Sequence, residues 1–314
     1  MSTVKNYLSL IKFSHTIFAL PFALIGFFLA IVFGNIEHGH WNLNETIGWG
    51  AKPFDLDFFE HYGRAIITKF ILVILCMVFA RSAAMAFNRY LDRSFDAKNP
   101  RTAIREIPAG IISANSALLF TIINSVLFVV ATFFINTICF ALSPVALLVV
   151  LGYSYTKRFT PLCHLVLGLG LSLAPIGAYL AVTGVFDVLP VLFSFTVLFW
   201  VSGFDIIYAL QDEEFDKQYE LKSIPAWLGK TKALRVSEFL HVLSAFCVTA
   251  AGYYGNFGVL YWIGVAVFIG MLIYQHSIVK PNDLSKVNIA FMTANGIASV
   301  VFAVFVIADI FLAP

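Results

Sequence analysis

Two stripes of acidic side chains are the part of this sequence best suited to metal and phosphate chemistry. Asn88, Asp92 and Asp96 follow one another at intervals of four residues, which on a helix aligns their side chains along one face. Asp212 and Asp216 repeat this interval further along the chain. Magnesium prefers oxygen ligands and commonly links a few carboxylates to the phosphates of a substrate. Together the two stripes therefore predict a magnesium site that binds a diphosphate.

The elements that must position these stripes are helices in a lipid bilayer. The 314 residues are 60% hydrophobic and only 12% charged, with a mean hydropathy of +0.87, whereas a soluble domain has about 25% charged residues. Crossing the hydrocarbon takes about 20 apolar residues per helix. Nine stretches meet this need, near 14–34, 65–88, 115–135, 137–153, 161–183, 189–210, 233–251, 257–276 and 290–312. We therefore predict an all-α polytopic membrane protein, a bundle of nine transmembrane helices that forms a single domain over residues 1–314.

The distribution of basic residues predicts how this bundle is oriented. With the N-terminus in the cytoplasm, nine spans place most of the twenty Lys and Arg residues on the cytoplasmic side, as the positive-inside rule requires. Lys52, Arg64 and Lys69 remain on the outer side, where residues 35–63 form a loop to which we assign no chemistry. Both acidic stripes then face the cytoplasm, and we expect the protein in the bacterial cytoplasmic (inner) membrane.

Two charges fall inside predicted spans and need partners there. Arg81 lies seven residues before Asn88, and Asp205 lies seven residues before Asp212. An ionised side chain in the hydrocarbon is costly unless it is paired. We expect Arg81 and Asp205 to form an ion pair within the membrane.

The sequence around the stripes resembles a known family. NRYLDRSFDAKNPRT followed by REIPAG resembles the first aspartate motif of the UbiA superfamily of intramembrane aromatic prenyltransferases, and DIIYALQDEEFD resembles its second motif, DxxYAxxDxxxD. KFSHTIFALPFALIG is similar to the opening of the 4-hydroxybenzoate polyprenyltransferase-like branch. The likeness covers nearly the whole chain, and it implies nine transmembrane helices around a central cavity with a side opening to lipid.

The resemblance also implies roles for individual residues. The implied ligands of two magnesium ions are the amide and the four catalytic carboxylates of the stripes, namely Asn88, Asp92, Asp96, Asp212 and Asp216. The implied diphosphate contacts are the basic residues Arg101, Arg105, Lys157 and Lys222. Tyr155 and Tyr208 are implied to stabilise a carbocation near the reacting carbon.

These features predict an enzyme of respiratory quinone biosynthesis. The expected reaction is the magnesium-dependent transfer of a polyprenyl group from polyprenyl diphosphate to a ring carbon of a small aromatic carboxylic acid like 4-hydroxybenzoate, on the way to ubiquinone or menaquinone. A dihydroxynaphthoate acceptor for menaquinone is the alternative within this class. A membrane transporter is the alternative from another class, but transporter sites lie near the midplane, whereas these acids cluster at one surface. We expect no nucleic acid partner.

The predicted acceptor site is at the start of the first span. Lys12 and His15 are three residues apart, so both can face the mouth of the bundle on the side of the acidic stripes. A cation there would hold the acceptor carboxylate opposite the magnesium site. The alternative is that both residues only anchor the helix at the interface.

Overall fold

The computed structural model describes residues 3–11, 18–33 and 56–312, and the side chains from 63 onward in the last range. Lys12, His15 and residues 35–55 of the predicted outer loop lie outside these residues. Within the described ranges the chain is helical, and its one β-bridge is an isolated pair between Lys280 and Asp283. The predicted all-α class is confirmed.

Eleven α-helices make up the described part of the chain. In chain order they are α1 Thr3–Leu10, α2 Leu20–Phe33, α3 Leu56–Asp96, α4 Ala114–Ile135, α5 Thr137–Thr156, α6 Cys163–Thr183, α7 Val188–Ala209, α8 Glu213–Gln218, α9 Ile224–Tyr254, α10 Val259–Ile278 and α11 Asn295–Leu312. A 3₁₀ turn, Leu210–Asp212, joins α7 to α8, and a π-helical turn, Ile289–Ala294, leads into α11.

The predicted spans correspond to these helices. Eight of them are long and apolar enough to cross a membrane, and α2 is a shorter apolar helix of 14 residues. The nine predicted stretches therefore each match an apolar helix in the described residues. The close division between α4 and α5 is made by Asn136, whose extended backbone interrupts the helix and whose side chain accepts a hydrogen bond from the Cys139 N–H.

The first apolar helix lies in the hydrophobic core. α2 packs against α6, α7 and α11, and the Phe22 ring lies 5.4 Å from Trp200 and 5.8 Å from Phe302, centroid to centroid. Gly26 faces the Pro175 carbonyl of α6 so closely that a β-carbon there would collide with it. Small residues at such crossings allow helices to approach in lipid.

The chain reverses after α3 in a way that brings the two acidic stripes together. α3 ends at Asp96, and Pro100 disfavours helix at the residue before it. The Asn99 side chain then accepts a hydrogen bond from the Arg101 N–H, 3.0 Å, which turns the chain back toward the end of α7. The C-terminal end of α3, the 3₁₀ turn and α8 therefore lie at the same end of the bundle.

Candidate active site

A cavity of about 900 Å³ lies among α3, α5, α6 and α7. Both acidic stripes line it. The rest of its wall is largely apolar, with Val73, Met77, Phe128, Leu142 and Leu171 among its residues. The volume lies within the range of small-molecule sites. One end of the cavity is therefore suited to a charged group, and its walls are suited to a hydrocarbon chain.

Asp92 is the most heavily paired carboxylate of the first stripe. It is 2% exposed, and its two oxygens lie 2.9 Å from Lys157 Nζ and 3.0 Å from an Arg158 nitrogen. The Asn88 amide donates to the same carboxylate at 3.1 Å. Lys157 and Arg158 directly follow α5, so the turn after α5 closes over the first stripe.

Asp96 has one satisfied oxygen and one free oxygen. Its Oδ1 lies 2.7 Å from the Arg105 guanidinium, which the chain reversal after α3 brings back to the helix end. Its Oδ2 is buried and has no hydrogen-bond partner among the described residues. A buried carboxylate oxygen left unpaired favours a bound cation or donor.

Arg101, from the loop that follows the first stripe, contacts the second stripe. The Arg101 guanidinium contacts both oxygens of Asp212 and donates to the Tyr208 hydroxyl at 3.0 Å, while Asn99 donates to Asp212 at 3.2 Å. Burial lowers the pKa of Arg101, but the Asp212 carboxylate and the Tyr208 hydroxyl favour its charged form more strongly, so the pKa is raised above its ordinary value. This base therefore remains a cation beside the second stripe.

Asp216 is held from the following loop. It is buried, and its Oδ2 accepts a hydrogen bond from the Ser223 hydroxyl at 2.8 Å. Ser223 also caps α9 by accepting from the Ala226 N–H. The start of α9 and the second stripe are therefore coupled through one hydroxyl.

The predicted ion pair of Asp205 with Arg81 is wrong, because Asp205 pairs with His164. His164 Nδ1 lies 2.7 Å from an Asp205 oxygen, and its Nε2 accepts a hydrogen bond from the Ile224 N–H at 3.3 Å. His164 belongs to α6, which packs closely on α7. The histidine thus links α7 to the start of α9, a role that spacing along one chain segment could not indicate.

Two of the sequence-predicted residues lie away from the cavity. Tyr155 is 46% exposed and packs against Phe87, whereas Tyr153, two residues earlier, lines the cavity. The Lys222 side chain is exposed and is absent from the cavity lining, although its backbone N–H bonds to the Lys157 carbonyl. Helical residues two apart point in different directions, so only the packing of α5 decides which tyrosine faces inward.

The donor chemistry of the site fits magnesium. Its oxygen donors are five side chains that line the one cavity, Asn88, Asp92, Asp96, Asp212 and Asp216, and the free Oδ2 of Asp96 is a buried acceptor among them. Each of the four carboxylates is bonded to a base or hydroxyl, and no three acidic, histidine or cysteine side chains of the described residues are grouped as metal ligands. The carboxylates and bases of the site therefore pair with each other. With both ligands bound, the carboxylates would hold the metal and the bases would contact the diphosphate.

Sequence reasoning missed three residues that hold the site. Arg158 directly follows the predicted base Lys157, but the sequence alone does not indicate its contact with Asp92. Ser223, just before Ile224 and Pro225, carries the usual signal of a helix start. His164 is a polar residue at the end of an apolar stretch, which is a general indication of function or pairing in a membrane protein.

Comparison with known proteins places the sequence among prenyltransferases. The model of the UbiA prenyltransferase family matches residues 58–297. The 4-hydroxybenzoate octaprenyltransferases of Nitrosospira multiformis and Nitrosomonas europaea are 29% and 30% identical to this chain over 233 residues, which is 74% of this chain and 80% of each relative.

Solved structures show the same fold. The apo structure of a UbiA homolog from Aeropyrum pernix K1 is similar with a TM-score of 0.73 and 27% identity, over 95% of this chain and 97% of that one. A UbiA homolog from Archaeoglobus fulgidus, solved bound to GPP and Mg²⁺, has a TM-score of 0.69 at 19% identity, over 97% of this chain and 99% of that one. At that lower identity the likeness concerns the fold alone.

Proposed function

The chain belongs to the UbiA prenyltransferase family, and from this premise we propose that it transfers a polyprenyl group from polyprenyl diphosphate to a ring carbon of a small aromatic acid. The acceptor class is that of 4-hydroxybenzoate, which the names of the relatives give for those proteins. The reaction would serve the biosynthesis of a respiratory quinone, ubiquinone or menaquinone.

One observation carries the proposal. Two carboxylate stripes meet three bases, Arg101, Arg105 and Lys157, at one end of a cavity whose remaining walls are largely apolar. A lipid diphosphate has the same division into a multiply charged head and a hydrocarbon tail. A transporter would need its polar groups near the midplane, and these groups lie instead where the helices end.

The bases of the site bind and neutralise the departing diphosphate. The charged hydrogen-bond donors of the site are Arg101, Arg105, Lys157 and Arg158. Their guanidinium forks and the Lys157 ammonium group suit phosphate oxygens. When the bond between the prenyl carbon and the diphosphate oxygen breaks, the electron pair remains on that oxygen. Donors already in place stabilise this developing charge without reorganisation.

Magnesium, held by the oxygens of Asn88, Asp92, Asp96, Asp212 and Asp216, would add Lewis-acid stabilisation of the same leaving group. The apolar walls exclude water from the allylic cation. Tyr208, whose hydroxyl accepts from Arg101, and Tyr153 on the cavity wall are the aromatic faces near the charged end. The ring carbon of the acceptor then bonds to the cation, and the ring proton leaves to a carboxylate or to the released diphosphate.

The remaining assignments rest on the sequence. Positive-inside charge favours an N-terminus and an active site on the cytoplasmic side of a bacterial inner membrane. The family match and the continuous packing of the helices support one domain over the chain.

The function is tested with the full chain purified in detergent. Geranyl diphosphate and Mg²⁺ are supplied with 4-hydroxybenzoate or with 1,4-dihydroxy-2-naphthoate, and the products are identified by mass. We expect one acceptor to gain a geranyl group on carbon. Geranylation of the naphthoate alone would favour the menaquinone alternative, and no carbon-linked product from either acid would contradict the proposal.

A further inference from the structure

Arg89 is a buried charge that the described site leaves unused. It lies on α3 next to Asn88, it is 4% exposed, and it lines the cavity. Its Nε has no hydrogen-bond partner, and its guanidinium makes no ion pair with any residue that the structure describes. By contrast, Arg101 and Arg105, which line the same cavity, each contact a carboxylate.

A guanidinium in this position is costly without an anion. Removing an ion from water costs several kcal/mol, and only a close counter-charge with hydrogen bonds compensates for that cost. The charges of Asp96 and Glu106 act on Arg89 from nearby. However, Asp96 is bonded to Arg105, and Glu106 Oε1 accepts from the Ser9 hydroxyl of α1. The part of the chain that the structure describes therefore leaves the cavity side of Arg89 open to a ligand.

Arg89 lies slightly deeper in the bundle than the carboxylates of the diphosphate end. Arg89, Asp92 and Asp96 are spaced i, i+3 and i+7, so they share one helix face. At 1.5 Å per residue, Arg89 lies about 4.5 Å further along α3 from the helix end than Asp92. A diphosphate held at Asp92 and Asp96 places its reacting carbon on the side of Arg89. The second substrate must approach there.

We propose that Arg89 binds the carboxylate of the aromatic acceptor through its forked N–H groups. This inference rests on the proposed function and names the group that orients its second substrate. A guanidinium fork matches the two oxygens of a carboxylate. The nearby Glu106 carboxylate is buried, and its Oε2 has no hydrogen-bond partner among the described residues. Its negative charge would repel a multiply charged diphosphate beside Arg89 more strongly than a singly charged carboxylic acid.

The test compares two acceptors of similar size, one with a carboxylate and one with a neutral hydroxymethyl group in its place. The full chain is purified in detergent with saturating inorganic diphosphate and Mg²⁺, and the dissociation constants of 4-hydroxybenzoate and of neutral 4-hydroxybenzyl alcohol are measured by calorimetry. We expect the wild type to favour the carboxylate by about tenfold to a hundredfold, the range of a charge-assisted hydrogen bond. Arg89→Met should reduce this preference to near one.

The matched control is Arg93→Met. Arg93 lies one turn further along α3, is exposed, and stacks on the Tyr90 ring, so its loss should leave the preference for the carboxylate unchanged. Because Arg89→Met could misfold, Arg89→Gln is tested in parallel. It keeps a polar head beside Glu106 but has no charge, and it should lose the preference equally.

The outcomes separate this inference from the proposed function. If the wild type binds and prenylates 4-hydroxybenzoate but the folded Arg89 variants keep the preference, the assignment of Arg89 is wrong. A loss of preference in Lys12→Met instead would move the carboxylate site to the start of the first span. Weakened affinity of the Arg89 variants for inorganic diphosphate alone would reassign Arg89 to that ligand. If the wild type neither prenylates nor prefers an aromatic acid, the proposed function itself is overturned.

Discussion

Replacing His164 with Phe tests how the second acidic stripe is held. His164 is 3% exposed and joins an Asp205 oxygen at 2.7 Å to the Ile224 N–H at 3.3 Å. Phe fills a similar volume but offers neither nitrogen. The substitution therefore leaves the Asp205 carboxylate and one backbone N–H without their partner.

The structure sets the size of the effect. A hydrogen bond to a charged group such as the Asp205 carboxylate is worth about 1.5–3 kcal/mol, and a buried backbone group left unsatisfied costs about 1–3 kcal/mol. The Asp205 side chain is 23% exposed, so water recovers part of the loss. We expect His164→Phe to lower the free energy of unfolding by about 3 kcal/mol.

The assay is a double-mutant cycle on the purified chain. Unfolding in mixed detergent micelles is measured for the wild type, His164→Phe, Asp205→Leu and the double variant. Since Asp205→Leu removes the stranded charge, the double variant should be more stable than the sum of the two losses predicts, with a coupling of about 1–3 kcal/mol. Leu169→Ala, at a position of α6 that is 40% exposed, is the control and should change stability little.

A functional measurement accompanies the cycle. Ile224 follows Ser223, which holds Asp216, so release of this loop should lower kcat for prenyl transfer more than it raises the KM for either substrate. A coupling below about 0.5 kcal/mol, together with wild-type kcat, would refute the claim that His164 links α7 to the start of α9.

Three further predictions follow from the site and the core. Asp92→Ala should retain less than about a tenth of the wild-type turnover, which raises the activation free energy by more than roughly 1.4 kcal/mol. EDTA should abolish turnover of the wild type. A variant that keeps more turnover than this would show that Asp92 does not belong to the site. Asn295→Leu strands the indole and amide N–H groups that bond to its oxygen, each at 2.8 Å, and should cost about 2–4 kcal/mol of stability, whereas the exposed Asn288→Leu should cost little; equal losses would contradict this. Gly26→Leu should destabilise the α2–α6 crossing by more than about 1 kcal/mol. Gly177→Leu should not, because a β-carbon at Gly177 meets open space. The melting temperatures of both variants in detergent test this difference.

The helices and the acidic stripes were predictable because they depend on local order in the sequence. Apolar stretches long enough to cross a bilayer must satisfy their backbone as helices, and the nine predicted stretches match nine apolar helices of the described chain. The four-residue spacing of Asn88, Asp92 and Asp96 fixes a common face as soon as the helix forms. The aspartate motifs were sufficient to indicate the family, which the match over residues 58–297 bears out.

The partners of these residues were decided by the tertiary structure. Arg101 follows the first stripe in the chain but contacts Asp212 of the second, and Asp205 is paired with His164 of a neighbouring helix. The packing of helices distant in sequence likewise decides which tyrosine of α5 faces the cavity. It also leaves the buried Arg89 with no ion pair to any residue that the structure describes. Helical periodicity orders side chains around one axis only, so the contacts between axes exist only once the bundle has packed.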